Sequence, residues 1–284
     1  MCLKCGSALS SFTDCPSCGS KWSETHSDIP VLLEDWQQHQ NEIESKQSGN
    51  TADWYTEAQL EASNGPYRHH INRRKNYLRE LLARLTENRK ISKLMDLGCG
   101  DGSNLTMLRP FAETLLGCDY NLLRLKRAKN LDVADQLFCA DFRNLPILSE
   151  SLDVVFCHHV LEHIVQDKAA LSEILRVLRP DGKLILGVPN EGAWFWQLAY
   201  RLQPATRENT DHVQFYTRDS LNSLCKDVGF TIKEEVNIGW GVPHWGIDAR
   251  LRKYKPIESF LESAGKTFFP SQCTSLYSVL SKSN

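Results

Sequence analysis

From residue 93 onward, short apolar runs alternate with stretches whose apolar positions recur every three or four residues. Runs such as "KLMDLGC" (93–99), "TLLGCDY" (114–120), "QLFCAD" (136–141), "LDVVFCHH" (152–159) and "GKLILGVPN" (182–190) have the length and continuity of buried strands. "TIKEEVNIG" (231–239) and "SQCTSLYSVLSK" (271–282) read as a sixth and a last strand. Between them, "NLLRLKRAKN", "DKAALSEILRVL" and "TRDSLNSLCKDVG" carry helical spacing, and a further helix is expected from Ser103. Strands alternating with helices predict an α/β fold, a parallel sheet with helices on both faces. In such sheets ligands bind beyond the carboxyl ends of the strands.

Upstream the pattern changes. "PYRHHINRRKNYLRELLARL" opens on Pro66 and places Ile71, Tyr77, Leu78, Leu81, Leu82 and Leu85 at helical spacing. Its other face carries Arg68, Arg73, Arg74, Lys75 and Arg79, which reads as a solvated basic face. Residues 23–65 are polar with few apolar anchors and read as a linker with some helix. The expected division is therefore 1–22, a linker 23–65, and one domain over 66–284, with a ligand-binding half at 91–190 and a substrate-covering part at 191–270.

Composition narrows this picture only at the N-terminus. The net charge of −2 gives no global attraction to nucleic acid. No run of eighteen apolar residues and no leader-like N-terminus is present, so a cytoplasmic protein is expected. Of ten cysteines, four fall in the first eighteen residues. Cys2–Cys5 and Cys15–Cys18 form two C-x-x-C pairs separated by nine residues, each followed by glycine. Four thiolates from two tight turns fill a tetrahedral zinc site and leave no open position, so a structural zinc ribbon is expected. The other six thiols are expected to be reduced and to act as small hydrophobes.

The remaining chemistry begins at "LMDLGCGDGSN" (94–104), where Gly98, Gly100 and Gly102 follow a strand directly. Asp119 ends the next strand, 21 residues after Gly98, a spacing at which a carboxylate accepts ribose hydroxyls. The dinucleotide pattern G-x-G-x-x-G fails, because its last glycine would fall on Ser103. A phosphate loop fails too, because Gly265-Lys266-Thr267 has Phe260 where the first glycine belongs.

What fits is D-x-G-x-G-x-G, formed by Asp96, Gly98, Gly100 and Gly102. With "CADFRNLP", "LDVVFCHHVLEHI", "EILRVLRPDGKLILGVPN" and "DHVQFYTRDSLNSLCKDVGF" following in order, the chain resembles the class I S-adenosylmethionine-dependent methyltransferases. The likeness covers roughly half the chain and is nearest to the quinone-pathway subfamily. It implies a Rossmann-like sheet and S-adenosylmethionine as cofactor. It also implies roles by position: Gly98 and Gly100 beside the methionine part, Asp96 supporting the loop, and Asp119 on the ribose with Tyr120 beside the adenine. Asp141 would accept from the adenine amino group, the Phe142 backbone would meet the ring edge, and His158 would line the methionine side.

His158, His159 and His163 cluster around Glu162 after the fourth strand, and neutral imidazole suits proton removal near pH 7. His159 and His212 are the candidate bases, His212 because related enzymes place this segment over the substrate. Some related quinone O-methyltransferases hold a metal ion with E-x-x-E-H at this point; here His159 replaces the first carboxylate. Trp194, Phe195, Trp196, Trp240 and Trp245 suggest an apolar lid or a lipid-like acceptor, against the plainer reading of packing. An N-P-P-Y signature is absent after the fourth strand, which disfavours nucleobase amines. The leading expectation is O-methylation of a small-molecule or lipid-linked acceptor. The alternatives are a ribosomal-RNA base methyltransferase, whose partner is nucleic acid, and a non-catalytic protein that docks a partner through its zinc ribbon.

Overall fold

The computed structural model describes residues 15, 17, 18, 28–33, 38, 41, 65–87, 89–204 and 212–283. Its elements run β1 (Val31–Leu32), α1 (Arg68–Thr86), β2 (Ile91–Leu97), α2 (Leu105–Leu108), β3 (Ala112–Asp119), α3 (Leu122–Lys129), β4 (Gln136–Ala140) and β5 (Leu152–His158). There follow α4 (Asp167–Val177), β6 (Leu178–Pro189), α5 (Trp194–Leu202), α6 (Arg218–Val228), β7 (Phe230–Ile238), α7 (Trp245–Arg252), α8 (Lys255–Phe268) and β8 (Ser275–Lys282).

One eight-stranded sheet joins them in the order β1-β4-β3-β2-β5-β6-β8-β7. The sheet is mixed, whereas the β–α alternation predicts a parallel one. β1 through β6 pair in parallel, but β8 runs antiparallel to both β6 and β7. The reversal follows from connectivity: α7 and α8, both unanticipated by the apolar pattern, leave the chain at the end of the sheet where β7 finishes, so β8 starts at Ser275 beside Pro189 and Ile238 and runs back along both strands.

Period-two alternation sends each strand's apolar residues to two faces. Met95, Leu97, Val155, Cys157, Leu184 and Leu186 pack with Leu171 and Ile174 of α4 and Leu221 of α6. Leu94, Leu115, Val154, Phe156 and Ile185 pack on the other face with Leu78, Leu81 and Leu82 of α1 and Leu125 of α3. Helices on both faces are thus observed. Cys99, Cys118, Cys139, Cys157, Cys225 and Cys273 are all buried, and burial pushes each thiol up.

Residues 29–32, which the polar composition assigns to a linker, add a strand to the sheet. Val31 pairs with Cys139 and Leu32 with Ala140, and the Cys139 N–H donates to the Pro30 carbonyl at 2.8 Å. Ile29, Val31 and Leu32 are buried. The run is too short to register as a strand by its own pattern; its partner makes it one. Cys2 and Cys5 of the expected zinc ribbon lie outside the described residues; Cys15 is buried and Cys18 exposed.

Candidate active site

β2 delivers the chain into the glycine loop. Gly98 and Gly100 adopt φ of +81° and +52°, a region that β-carbons disfavour. Space forbids a side chain at Gly98 as well, where a β-carbon would sit 2.0 Å from Val160 Cγ2, while one on Gly100 would displace the Arg124 guanidinium, 2.6 Å away. The loop is held by Asp119 at the end of β3. Its Oδ2 accepts the Gly100 N–H at 2.7 Å and its Oδ1 accepts the Asn121 N–H at 2.8 Å. Burial pushes the Asp119 carboxyl up, against the charge of Arg124. Asp96 is fully buried with neither carboxylate oxygen hydrogen-bonded, and burial together with the charge of Asp119 drives it well up. Two buried acids therefore face a loop whose backbone a ligand can approach closely.

Further along the sheet, Tyr120 is half-buried beyond β3 and Phe142 is buried just beyond β4. Asp141 accepts from Arg143 Nε at 2.9 and 3.0 Å, so an adenine amino group would share this carboxylate with Arg143. His158, at the end of β5, stacks along Phe156 with 5.9 Å between ring centroids. Its Nε2 is buried without a partner, and burial holds its pKa well below the ordinary imidazole value.

The histidines gather on one side of this loop. His159 has φ of +52°, a left-handed conformation that a non-glycine residue adopts at a cost, fixed by its N–H donating to the Gly187 carbonyl at 2.8 Å. Its Nδ1 lies 3.5 Å from Glu162 Oε1, and its Nε2 lies 3.3 Å from Ser275 Oγ. Burial lowers the pKa of His159 and outweighs its carboxylate neighbour. The Val213 and Gln214 N–H groups donate to the Glu162 carbonyl at 2.8 and 3.0 Å, which lays His212 beside His163 with ring centroids 4.9 Å apart. His212 Nδ1 is 2.8 Å from Glu191 Oε1, and the Tyr200 hydroxyl donates to Glu191 Oε2. A carboxylate only accepts, so Nδ1 carries the proton and Nε2 is left basic.

Glu162 is fully buried, and neither of its carboxylate oxygens makes a hydrogen bond of good geometry. Burial pushes its carboxyl up, but the hydrogen-bonding and charge of His159 and the charge of His163 prevail and hold it below the ordinary value. Glu162, His163 and His212 bring their ligand atoms within 4.8 Å of one another, a set able to hold a cation.

A cavity of about 310 Å³ opens beside these groups. It is walled by His159 and His212, by Trp196 and Tyr200 of α5, by His70 and Arg74 of α1, and by Asp248 and Arg252 of α7. The structure thus brings both candidate bases together and adds residues that the sequence did not single out: His70, Glu191, Asp248, Arg252 and Tyr200. No motif carries them, since they converge from separate elements. The basic face of α1 is not simply solvated either. Arg73 donates to Ser259 Oγ at 2.9 Å, Lys75 to the Ser103 carbonyl at 3.3 Å, and Arg74 lines the cavity. Of the aromatics, Trp196 and Trp240 are buried in packing, while Trp194 is 53% exposed.

Comparison with known proteins agrees with this geometry. The chain is 31% identical over 145 residues to a malonyl-[acyl-carrier protein] O-methyltransferase of Hamiltonella defensa, covering 51% of this chain and 55% of that protein. It is 25% identical over 181 residues to a demethylmenaquinone methyltransferase of Corynebacterium urealyticum, covering 58% and 77%. It spans about half the length of the first curated relatives that it matches, between 47% and 59%. Among solved structures, the complex between the Haloferax volcanii Trm112 methyltransferase activator and a methyltransferase contains a chain of the same fold. There the TM-score is 0.57 at 19% identity, covering 83% of this chain and 100% of that one. Residues 67–235 match the family described as methyltransferase domain. That match takes in more than half of the 284 residues, and the chain belongs to this methyltransferase family.

Proposed function

We propose that the chain transfers a methyl group from S-adenosylmethionine to oxygen of a small or lipid-linked metabolite. The observation that carries this reading is the glycine loop closed by Asp119, with the unpartnered, buried Asp96 carboxylate behind it. Those residues fit the cofactor chemically. Asp96 supports the loop, Gly98 and Gly100 pass the methionine portion, and Asp119 retains lone pairs for the ribose hydroxyls. Tyr120 supplies flat apolar surface for adenine, Asp141 an acceptor for its amino group, the Phe142 backbone a contact for the ring edge, and His158 an uncharged wall on the methionine side.

The cofactor supplies an electrophilic methyl group; the protein supplies orientation and proton removal. A hydroxyl acceptor in the cavity would pass its proton to His159 or to Nε2 of His212, with Glu191 fixing the latter's tautomer. Burial keeps His159 neutral and so able to accept. The names of the relatives, a malonyl-carrier O-methyltransferase and a demethylmenaquinone methyltransferase, support a small or lipid-linked acceptor over nucleic acid. Calorimetry tests the cofactor assignment: S-adenosylhomocysteine should bind, and Asp119→Ala should weaken it about 10–100-fold, the worth of one or two hydrogen bonds to a charged group. Equal affinity in the folded variant would remove the assignment.

The reading extends to one structural zinc on Cys2, Cys5, Cys15 and Cys18, supported by the paired C-x-x-C spacing. Elemental analysis should return about one zinc per chain, as four thiolate ligands require, and Cys5→Ser should lose it. Zinc retained by that variant would place the metal elsewhere.

A further inference from the structure

The cavity wall carries four fully charged side chains, and three of them are committed. Arg252, 1% exposed, donates to Asp248 Oδ2 at 2.7 Å, to Glu258 Oε2 at 2.7 Å and to the Trp240 carbonyl at 2.6 Å. Asp248 also accepts the Val242 N–H at 3.0 Å. Glu191 is taken by His212 and Tyr200. Arg74 is the fourth. It lines the same cavity, is half-buried, and makes no hydrogen bond or ion pair among the described residues. The imidazoles around it stay neutral and supply no counter-charge, since burial brings His70 down to about 4 and lowers His158 and His159. A guanidinium held in a partly enclosed space without a counter-charge is costly, and the cost is removed when an anion enters.

We propose that Arg74 is the specificity residue of this cavity and that the acceptor bears a carboxylate, which Arg74 grips. The inference rests on the methyl-transfer reading above and names the class of its acceptor. Geometry favours the acceptor over the cofactor as owner of that carboxylate. The cavity wall contains no residue of the glycine loop. The loop has its own basic neighbours, Arg124 against Gly100 and Lys75 on the Ser103 carbonyl. A carboxylate suits the side chain, because the planar guanidinium presents two parallel donors to two oxygens. About 310 Å³ is at the lower end of small-ligand sites, so the acid itself, or the part of it that enters, is small. Trp196, Tyr200 and Pro189 add apolar surface to the same cavity.

The test uses the full chain saturated with S-adenosylhomocysteine and a ladder of probes: acetate, butyrate, octanoate, benzoate and 4-hydroxybenzoate, each beside its amide. Ligand-observed NMR titration reads the affinity of each. At least one carboxylate should bind at least tenfold more tightly than its amide. Arg74→Gln should abolish that preference, and Arg74→Lys should restore part of it. S-adenosylhomocysteine affinity should stay within twofold in both variants, and Arg74→Gln should melt no lower than the parent, since no structural partner is lost. Three results would overturn the proposal: no carboxylate preferred over its amide, a preference that survives Arg74→Gln, or a tenfold loss of S-adenosylhomocysteine affinity in Arg74→Gln. The last would assign Arg74 to the cofactor's own carboxylate. Failure of the unaltered protein to bind S-adenosylhomocysteine at all would instead strike the methyl-transfer reading beneath it.

Discussion

The glycine loop and the cavity lie side by side at the carboxyl ends of the strands, yet they are built in opposite ways. The loop is local: Asp96, Gly98, Gly100, Asp101 and Asp119 fall within one β–α–β passage, where Asp119 holds backbone, Asp101 pairs with Arg124 and Asp96 stands unpaired. The cavity is assembled from α1, the segment after β6, residue 212, α7 and the start of β8. Its acids are committed, Asp248 to Arg252 and Glu191 to His212 and Tyr200, and its one uncommitted charge is positive. A site read by chain proximity can be inherited as a motif. A site assembled from remote elements can change its ligand by single substitutions while the motif stays fixed.

The largest effects are expected at the histidines. His159→Ala or His212→Ala should cut turnover about 10²–10⁴-fold, the usual contribution of a general base, and leave S-adenosylhomocysteine affinity nearly unchanged. His163→Ala serves as the control and should lower turnover less. Activity that vanishes with a chelator and returns with a divalent cation would reassign Glu162, His163 and His212 to a metal ion. Full turnover in both base variants across pH 6–9 would leave positioning alone as the source of rate.

Next in size is the buried ion network. Arg252→Met should lower unfolding free energy by about 3–5 kcal/mol in chemical denaturation, because Asp248 and Glu258 would stay buried and unpaired. Arg74→Gln, in the same wall, should cost nothing. Equal losses at the two arginines would erase the distinction between a structural and a ligand-seeking cation.

The smallest effect is a pH dependence. His70 is 9% exposed and its folded pKa is about 4, below the ordinary imidazole value. As pH falls from 6.5 toward 4, the unfolded chain takes up the proton first, so stability falls, by up to about 3 kcal/mol for a shift of this size. Glu258 adds in the same direction, since its depressed pKa stabilises the fold above the ordinary carboxyl range and that gain is lost in acid. Denaturant titrations at pH 7 and pH 4.5 should show a smaller drop for His70→Gln than for the parent. Parallel drops would mean that His70 titrates as an exposed imidazole.

Legibility in the sequence followed the same division. The strands from β2 to β6 were readable because apolar runs there are continuous and bounded by glycine, proline and acids. The antiparallel return of β8 was not, because direction is set by α7 and α8, whose exposed Ile247, Phe260 and Phe268 blur their periodicity. Asp119 was found by its distance from Gly98. Glu191 was not, because its only signal is contact with Tyr200 and His212, and a lone glutamate after a strand has no pattern. Arg74 looked solvated, since nothing in a helical wheel tells which basic residue will meet a cavity closed by α7, more than 170 residues away.

The pairing of Val31 and Leu32 with β4 carries a lesson about boundaries. The family match begins at residue 67, yet the sheet of that domain is finished by residues 29–32. Ancestry and folding cut the chain at different points. A fragment trimmed only at the family's N-terminal limit, and kept to the end of β8, would present the rim of β4 to its neighbours as a row of bare amides and carbonyls, a template for adhesion between molecules. Solution studies of such a fragment would measure self-association before they measured catalysis.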